Sequence, residues 1–233
     1  MQALALFDLD GTLLPEDSDH AFGQFLAKEG WVDPSHHAQT NARFLQDYRQ
    51  ACLDITAYVA FATRFLQDYA LSDCLALRQR FMDEVIESFI RQEALDLIEC
   101  HRQQGDTLVL ITATNSFVAT PIAARLGIPH LIATELVQDE KGRFTGEIAG
   151  IPSFQAGKVA RLNQWLVQQK QGVNSQTLET LLAQSVFYSD SVNDLPLLER
   201  VSRPIATNPD ARLRQIAQQR GWAILDLFEA RSE

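Results

Sequence analysis

Short, wholly apolar runs alternate with helical-period stretches along most of the chain. Ala3 to Phe7 is apolar and stops at Asp8, Asp10 and Gly11, which predicts a strand buried on both faces and followed by a loop. Thr107 to Ile111, His130 to Ala133 and Ser185 to Tyr188 have the same character, and Pro204 to Ala206 and Trp222 to Leu225 are weaker versions of it. Helical patterns lie between them: Ser116 to Leu126, closed by Gly127, then Phe154 to Gln169, Asp194 to Glu199 and Ala211 to Gln219. In the second of these, Leu162, Trp165 and Leu166 share a face. Glu135 to Ile148 carries Asp-Glu-Lys-Gly between apolar runs and predicts a β-hairpin. Strands alternating with helices predict an α/β fold with a parallel sheet.

One block breaks this rhythm. After a helical stretch at Ala21 to Lys28, His36 to Arg91 contains no strand-like run. Phe44, Tyr48, Tyr58, Phe61, Phe65 and Leu66, then Phe81, Val85, Ile86 and Phe89, recur at helical spacings. There is no glycine between Gly30 and Gly105 and only one proline, Pro34. The expected organisation is an α/β core of residues 1–16 and 92–233 with a helical insertion at 17–91. The stripe Phe61, Phe65 and Tyr69 is expected inside that insertion, and His36-His37 at a solvated turn. The Gln-rich stretch Gln168 to Gln176 is expected to be a helix end and loop in water.

Composition narrows the function. Hydrophobic residues at 46% and charged residues at 21% of 233 fit an ordinary globular chain. The 30 acidic residues outnumber the 20 basic ones, for a net charge of -10. Such a field repels phosphate, so neither nucleic acid nor an anionic membrane is expected as a partner. No apolar run approaches the ~20 residues that cross a bilayer. The first residues lack the basic flank of a signal peptide. Cys52, Cys74 and Cys100 form neither a disulfide framework nor a metal motif. A reduced, cytoplasmic setting is expected, with the protein a monomer or homodimer.

The candidate chemistry lies where predicted strands end. Asp8-Leu9-Asp10-Gly11-Thr12 follows the first strand, and Ser189-Asp190-Ser191-Val192-Asn193-Asp194 follows another. In parallel α/β sheets the carboxyl ends of strands carry the ligand site. Buried carboxylates gathered there require a cation or protons. Thr112-Ala113-Thr114-Asn115 ends TLVLI with hydroxyls and backbone N–H groups suited to phosphate, and Lys158 stands near a helix start. Taken singly, each has a plainer reading as a turn, a cap or a surface lysine.

Together and in this order, DxDGT, the strand-end Thr112, Lys158 and SDSVND resemble the haloacid dehalogenase superfamily. The long helical insert between the first two motifs is similar to the phosphoserine phosphatase-like branch, subfamily IB. The resemblance covers nearly the whole chain. It implies a Rossmann-like sheet with a C1-type cap, and a Mg²⁺-dependent phosphomonoesterase acting on a small phosphorylated metabolite such as phosphoserine or histidinol phosphate. It implies Asp8 as nucleophile through an aspartyl-phosphate, and Asp10 as general acid and base. Asp8, the Asp10 carbonyl and Asp190 would hold the metal. Thr112, Ala113, Lys158 and Asn193 would bind phosphate, with Thr12 and Asp194 in support. Asp17, Ser18 and Arg49 are the substrate candidates. The chain departs from that branch at Ser191, where glycine is usual, at TAT in place of SGG, and at Asp17 in place of glutamate. A phosphotransferase and a non-catalytic phosphate-binding protein are the alternatives on the same fold.

Other motifs fail on spacing. Gly150 to Lys158 has too many residues between its glycines for a P-loop and lacks the following hydroxyl. Asp8 to Gly11 is too short for an EF-hand, and paired acids of a glycosidase leave Lys158 unexplained.

Overall fold

The computed structural model describes residues 3–169 and 175–228. Strand β1 (Leu4–Phe7) is followed by α1 (Ser18–Lys28), α2 (Pro34–Arg49), α3 (Ile55–Ala62), α4 (Phe65–Asp68) and α5 (Leu71–Phe81). A π-helical turn (Met82–Ile86) then leads into α6 (Glu87–Phe89) and α7 (Gln92–Gln103). Next come β2 (Thr107–Asn115), α8 (Ser116–Arg125), β3 (His130–Thr134) and the hairpin β4 (Leu136–Gln138) and β5 (Phe144–Ile148). The chain continues through α9 (Ala156–Gln169), α10 (Ser175–Leu182), β6 (Val186–Ser189), a 3₁₀ turn (Val192–Asp194) and α11 (Leu195–Leu198). It closes with β7 (Arg203–Thr207), α12 (Ala211–Arg220) and β8 (Ala223–Leu225).

The six-stranded sheet runs β3-β2-β1-β6-β7-β8, with every neighbouring pair parallel. Strand β1 is apolar throughout because both of its faces are covered. Ala5 and Phe7 join one apolar cluster, while Leu4 and Leu6 join the other with Leu162 and Leu166 of α9. The register pairs Phe7 with Leu110 on one side and Tyr188 on the other. Asp8 and Asp190 therefore leave the sheet at one rim, where Thr112 of β2 also lies.

The helical insertion shares its core with the sheet. Phe22 of α1 packs edge-on against Phe65 and Phe81, and Phe65 against Phe117 of α8. Phe117 in turn meets Phe144 of the hairpin.

Several expectations change. Strand β2 continues through Asn115, four residues beyond the apolar run, because Thr112 and Thr114 are buried and hydrogen-bonded. His36 and His37 lie in α2 rather than at a turn, and Asp33 caps that helix. His37 is buried and stacks on Phe61. Tyr69 is exposed at 41% and packs on Trp31 at the insertion surface. Trp165 is only partly buried, against His130. The Gln168 to Gln176 stretch lies largely outside the described residues.

Candidate active site

Asp8 directly follows β1 and is 3% exposed, its backbone N–H donating to Tyr188 O at 2.9 Å. Lys158 sits in the first turn of α9 and is 1% exposed. The same turn admits only glycine at the preceding position, since a Cβ on Gly157 would stand 2.1 Å from Pro152 O. Lys158 Nζ donates to Asp8 Oδ1 and Asp194 Oδ2, each at 2.7 Å. Ser189 Oγ also donates to Asp194 Oδ2 at 2.7 Å. Burial opposes charge on Lys158, but Asp194 and Asp8 reverse that effect and hold the ammonium above its ordinary range.

Asp10 is gripped from two sides. Ser18 N donates to Oδ1 at 2.6 Å and Thr114 Oγ1 to Oδ2 at 2.7 Å. Burial, with the charge of Asp17 next, raises its carboxyl to about 6. Burial raises Asp8 to about 7 against the pull of Lys158. Asp190 is pushed well above the usual carboxylate range by burial and then by Asp8. It approaches the Asp8 loop closely: a Cβ on Gly11 would lie 2.2 Å from Asp190 Oδ2, and Gly11 holds a φ of +72°. Thr12 Oγ1 donates to Asp190 Oδ1 at 3.4 Å. Asn208 Nδ2 clamps the same loop through Gly11 O at 2.8 Å.

This donor set suits a hard divalent cation. Asp8 is a buried and Asp190 a half-buried carboxylate at adjacent strand ends, short of compensating charge, and the Asp10 carbonyl lies on the same loop. Among the described residues no three His, Cys, Asp or Glu side chains form a metal cluster. Two carboxylates with a backbone carbonyl and water fit Mg²⁺, which keeps part of its hydration shell.

A cavity opens above these groups, lined from the sheet side by Asp8, Asp10, Thr112, Ala113 and Thr114. The insertion contributes Asp17, Asp19, His20, Phe44, Tyr48 and Tyr58. Asp17 is also the N-cap of α1, accepting from His20 N at 2.7 Å. Asp19 is 7% exposed and accepts from Asn115 Nδ2 at 2.9 Å, with Tyr58 close by in the same cavity lining. Burial pushes Asp19 well above the ordinary range, with Asp17 and Asp10 adding to it.

The expected site residues divide accordingly. Asp8, Asp10, Thr112, Ala113 and Asp17 share the cavity, and Lys158 and Asp194 lie directly behind Asp8. Asn193 is committed elsewhere: its Nδ2 donates to Tyr48 O at 2.9 Å and its Oδ1 accepts from Gln155 at 3.1 Å. Two substrate candidates are displaced. Ser18 is fully buried and meets Asp10 through its backbone, and Arg49 is exposed beside Asp17 in a neighbouring groove, outside the cavity lining. The sequence pattern gives Asp19 and Tyr48 no site role, and carries Thr114 and Ser189 only as members of their strand-end segments. Period-two alternation from Thr112 places Thr114 on the same side of β2, a signal available in the sequence. The Ser189–Asp194 bond depends on a 3₁₀ turn that the sequence pattern does not show.

The model of the haloacid dehalogenase-like hydrolase family matches residues 5–199, a span that includes both acidic strand ends and Lys158. The chain belongs to that family. It is 41% identical to a histidinol-phosphatase of Neisseria meningitidis serogroup C (strain 8013), over 97% of this chain and 99% of that one. It is 32% identical to a phosphoserine phosphatase of Mycobacterium tuberculosis (strain ATCC 25618 / H37Rv), over 99% of this chain and 73% of the relative. Among solved structures, a protein of unknown function from Bordetella pertussis Tohama I superposes with a TM-score of 0.89 at 44% identity, covering 98% of this chain and all of that one. A substrate-bound phosphoserine phosphatase shares the fold, with a TM-score of 0.68 at 16% identity, covering 97% of this chain and 93% of the other. Among the described residues, no helix of this haloacid dehalogenase-like hydrolase is long and apolar enough to cross a membrane.

Proposed function

We propose that this hydrolase is a Mg²⁺-dependent phosphomonoesterase whose substrate carries a cationic nitrogen and no carboxylate, with histidinol phosphate the specific candidate. The observation that carries the substrate class is the cavity lining. It presents Asp17 and Asp19 beside aromatic side chains and contains no lysine or arginine. Lys158, behind it, is already engaged by Asp8 and Asp194. An ammonium relieves that uncompensated negative charge, whereas a substrate carboxylate is desolvated there without a partner. The Neisseria relative named as a histidinol-phosphatase supports the same reading.

In this mechanism a carboxylate oxygen of Asp8 attacks phosphorus, and Asp10 gives its proton to the departing alcohol oxygen. Asp10, now ionised, takes a proton from water, whose oxygen attacks the phosphorus of the aspartyl-phosphate and regenerates Asp8. Thr114 and the Ser18 N–H hold Asp10 in place for both transfers. Thr112 and the Ala113 segment cradle phosphoryl oxygens, and Lys158 fixes the Asp8 carboxylate. The cation held by Asp8, Asp190 and the Asp10 carbonyl would neutralise charge between anionic nucleophile and anionic substrate.

The insertion acts as the cap. The cavity holds about 40 Å³, far below the roughly 300 Å³ at which small-molecule pockets begin. On this reading the arrangement corresponds to a closed form, and substrate enters when the cap lifts.

Phosphate release with Mg²⁺ present tests the reading, with Asp8→Asn as the blank. The expected kcat/KM for histidinol phosphate exceeds that for phosphoserine by on the order of 100-fold. Equal or reversed preference would overturn the substrate class, and full activity in Asp8→Asn the mechanism.

A further inference from the structure

Among the described residues, three that are not glycine hold a positive φ: Ala51 at 59°, Gln155 at 49° and Asn208 at 45°. Such a backbone is costly for a residue with a side chain, and it persists where surrounding contacts enforce it. Asn208 is the clamp on the Gly11 loop. The other two stand at opposite ends of one hydrogen-bond chain that joins the insertion to the α/β core. Ala51 N donates to Tyr48 O at 3.0 Å, at the end of α2. Asn193 Nδ2 donates to the same carbonyl at 2.9 Å, and Gln155 Nε2 donates to Asn193 Oδ1 at 3.1 Å. The Tyr48 ring packs beside Phe154, with centroids 6.1 Å apart, and Tyr48 lines the cavity together with Asp8.

Hydrogen-bond valence assigns Asn193 its task. A backbone carbonyl only accepts, so the Asn193 amide must turn its nitrogen toward Tyr48. The second proton on Nδ2 goes to Ser191 Oγ at 3.2 Å. Both amide protons are thus used, and none is left for a phosphoryl oxygen. The oxygen end faces Gln155, whose Nε2 only donates and so fixes the orientation of the amide. Asn193 is 3% exposed, and water does not stand in for either partner. Both core members of the chain also border Lys158. Gln155 O accepts from Lys158 N at 3.1 Å, and Asn193 precedes Asp194, which accepts from Lys158 Nζ.

We propose that Asn193 and Gln155 are positioning residues that hold the end of α2, and with it the Tyr48 wall of the cavity, docked at the Asp8 site. Asn193 makes the tie, and Gln155 keeps its amide turned for it. The assignment rests on the phosphatase reading, in which the insertion is a cap. It replaces the phosphate-binding role expected for Asn193.

Asn193→Ala deletes the tie, and Gln155→Gly deletes its guide while relaxing the positive φ. Residue-resolved amide hydrogen exchange on the phosphate-free protein reads the docking. Phosphate release from p-nitrophenyl phosphate with Mg²⁺ reads its consequence. In each variant the amides of Ala51 and Cys52 should exchange about 10-fold faster, the range for one lost hydrogen bond, with α9 unchanged. The value of kcat/KM should fall by a similar factor. The double variant should be no worse than Asn193→Ala alone, because Gln155 acts through Asn193. Activity lost in Asn193→Ala with exchange at Ala51 unchanged overturns the proposal and makes Asn193 a phosphate ligand. Faster exchange throughout, α9 included, also overturns it, since the variants would then loosen the whole fold. Additive effects of the two variants overturn the part assigned to Gln155. Localised exchange together with no phosphate release by the unsubstituted protein would uphold the docking contact and sink the phosphatase reading instead.

Discussion

Lys158 Nζ stands 2.7 Å from Asp8 Oδ1, with both side chains shut away from water. Asp194 completes the group from the other side at 2.7 Å. One ammonium thus separates two carboxylates that would otherwise face each other in a desolvated site. Lys158→Met keeps the stem and deletes the charge. Phosphate release should fall by about 10² to 10³ and stability by about 3–5 kcal/mol, as for other broken buried ion pairs. A denaturant melt beside the activity assay checks both, and a variant with near-normal turnover would remove Lys158 from the mechanism.

Asp19 separates substrate recognition from bond breaking. It lines the cavity but is held by Asn115 rather than by the catalytic loop. Asp19→Asn should raise KM for histidinol phosphate by about 10-fold or more, the loss expected for one charge-assisted contact. Hydrolysis of p-nitrophenyl phosphate, which carries no ammonium, should change little. Equal losses on both esters would show that Asp19 acts through the fold.

The buried acids make stability depend on pH in an unusual direction. Asp8 at about 7 and Asp10 at about 6 both lie above their ordinary value of 3.8, and Asp17, Asp19 and Asp190 are also raised. Between 3.8 and these values the folded chain binds more protons than the unfolded one. Their contribution is therefore fully present below 3.8 and is lost as pH rises through the values of about 6 and 7. Without metal, the melting temperature should fall between about pH 5 and pH 8. Mg²⁺ should restore it, with a larger gain at pH 8 than at pH 5, because the cation replaces protons on the same carboxylates. A metal-independent, flat profile would contradict this electrostatic picture.

Gly11 is fixed by two constraints at once. Its φ of +72° favours glycine, and a Cβ there would collide with Asp190 Oδ2 at 2.2 Å. Gly11→Ala should displace Asp190, and Mg²⁺ titrations should show activation shifted at least 10-fold higher in concentration, the scale of a disturbed metal shell. An unchanged Mg²⁺ dependence would remove Asp190 from the cation site.

The elements, and the rim on which chemistry gathers, are legible in the local pattern of the chain. Ala3 to Phe7 and Thr107 to Ile111 are apolar because they are buried on both faces, so they announce parallel central strands and place the following acids at one edge. Asp8, Asp10 and Lys158 all fall within the span that the family model matches. Which residues the insertion lends to that rim depends on long-range packing. Arg49 and Tyr48 are adjacent in sequence, yet one is in solvent and the other over Asp8. Helical periodicity gives a face, but not which neighbour that face will meet, and the answer depended on the turn at Ala51 and the bond to Asn193. Asp19 and Asn115 likewise lie 96 positions apart and become partners only when α1 docks beside the end of β2. The local pattern specifies short-range structure through backbone geometry and burial. Substrate recognition arises from long-range packing, where the energy of each contact depends on partners that the local pattern does not contain.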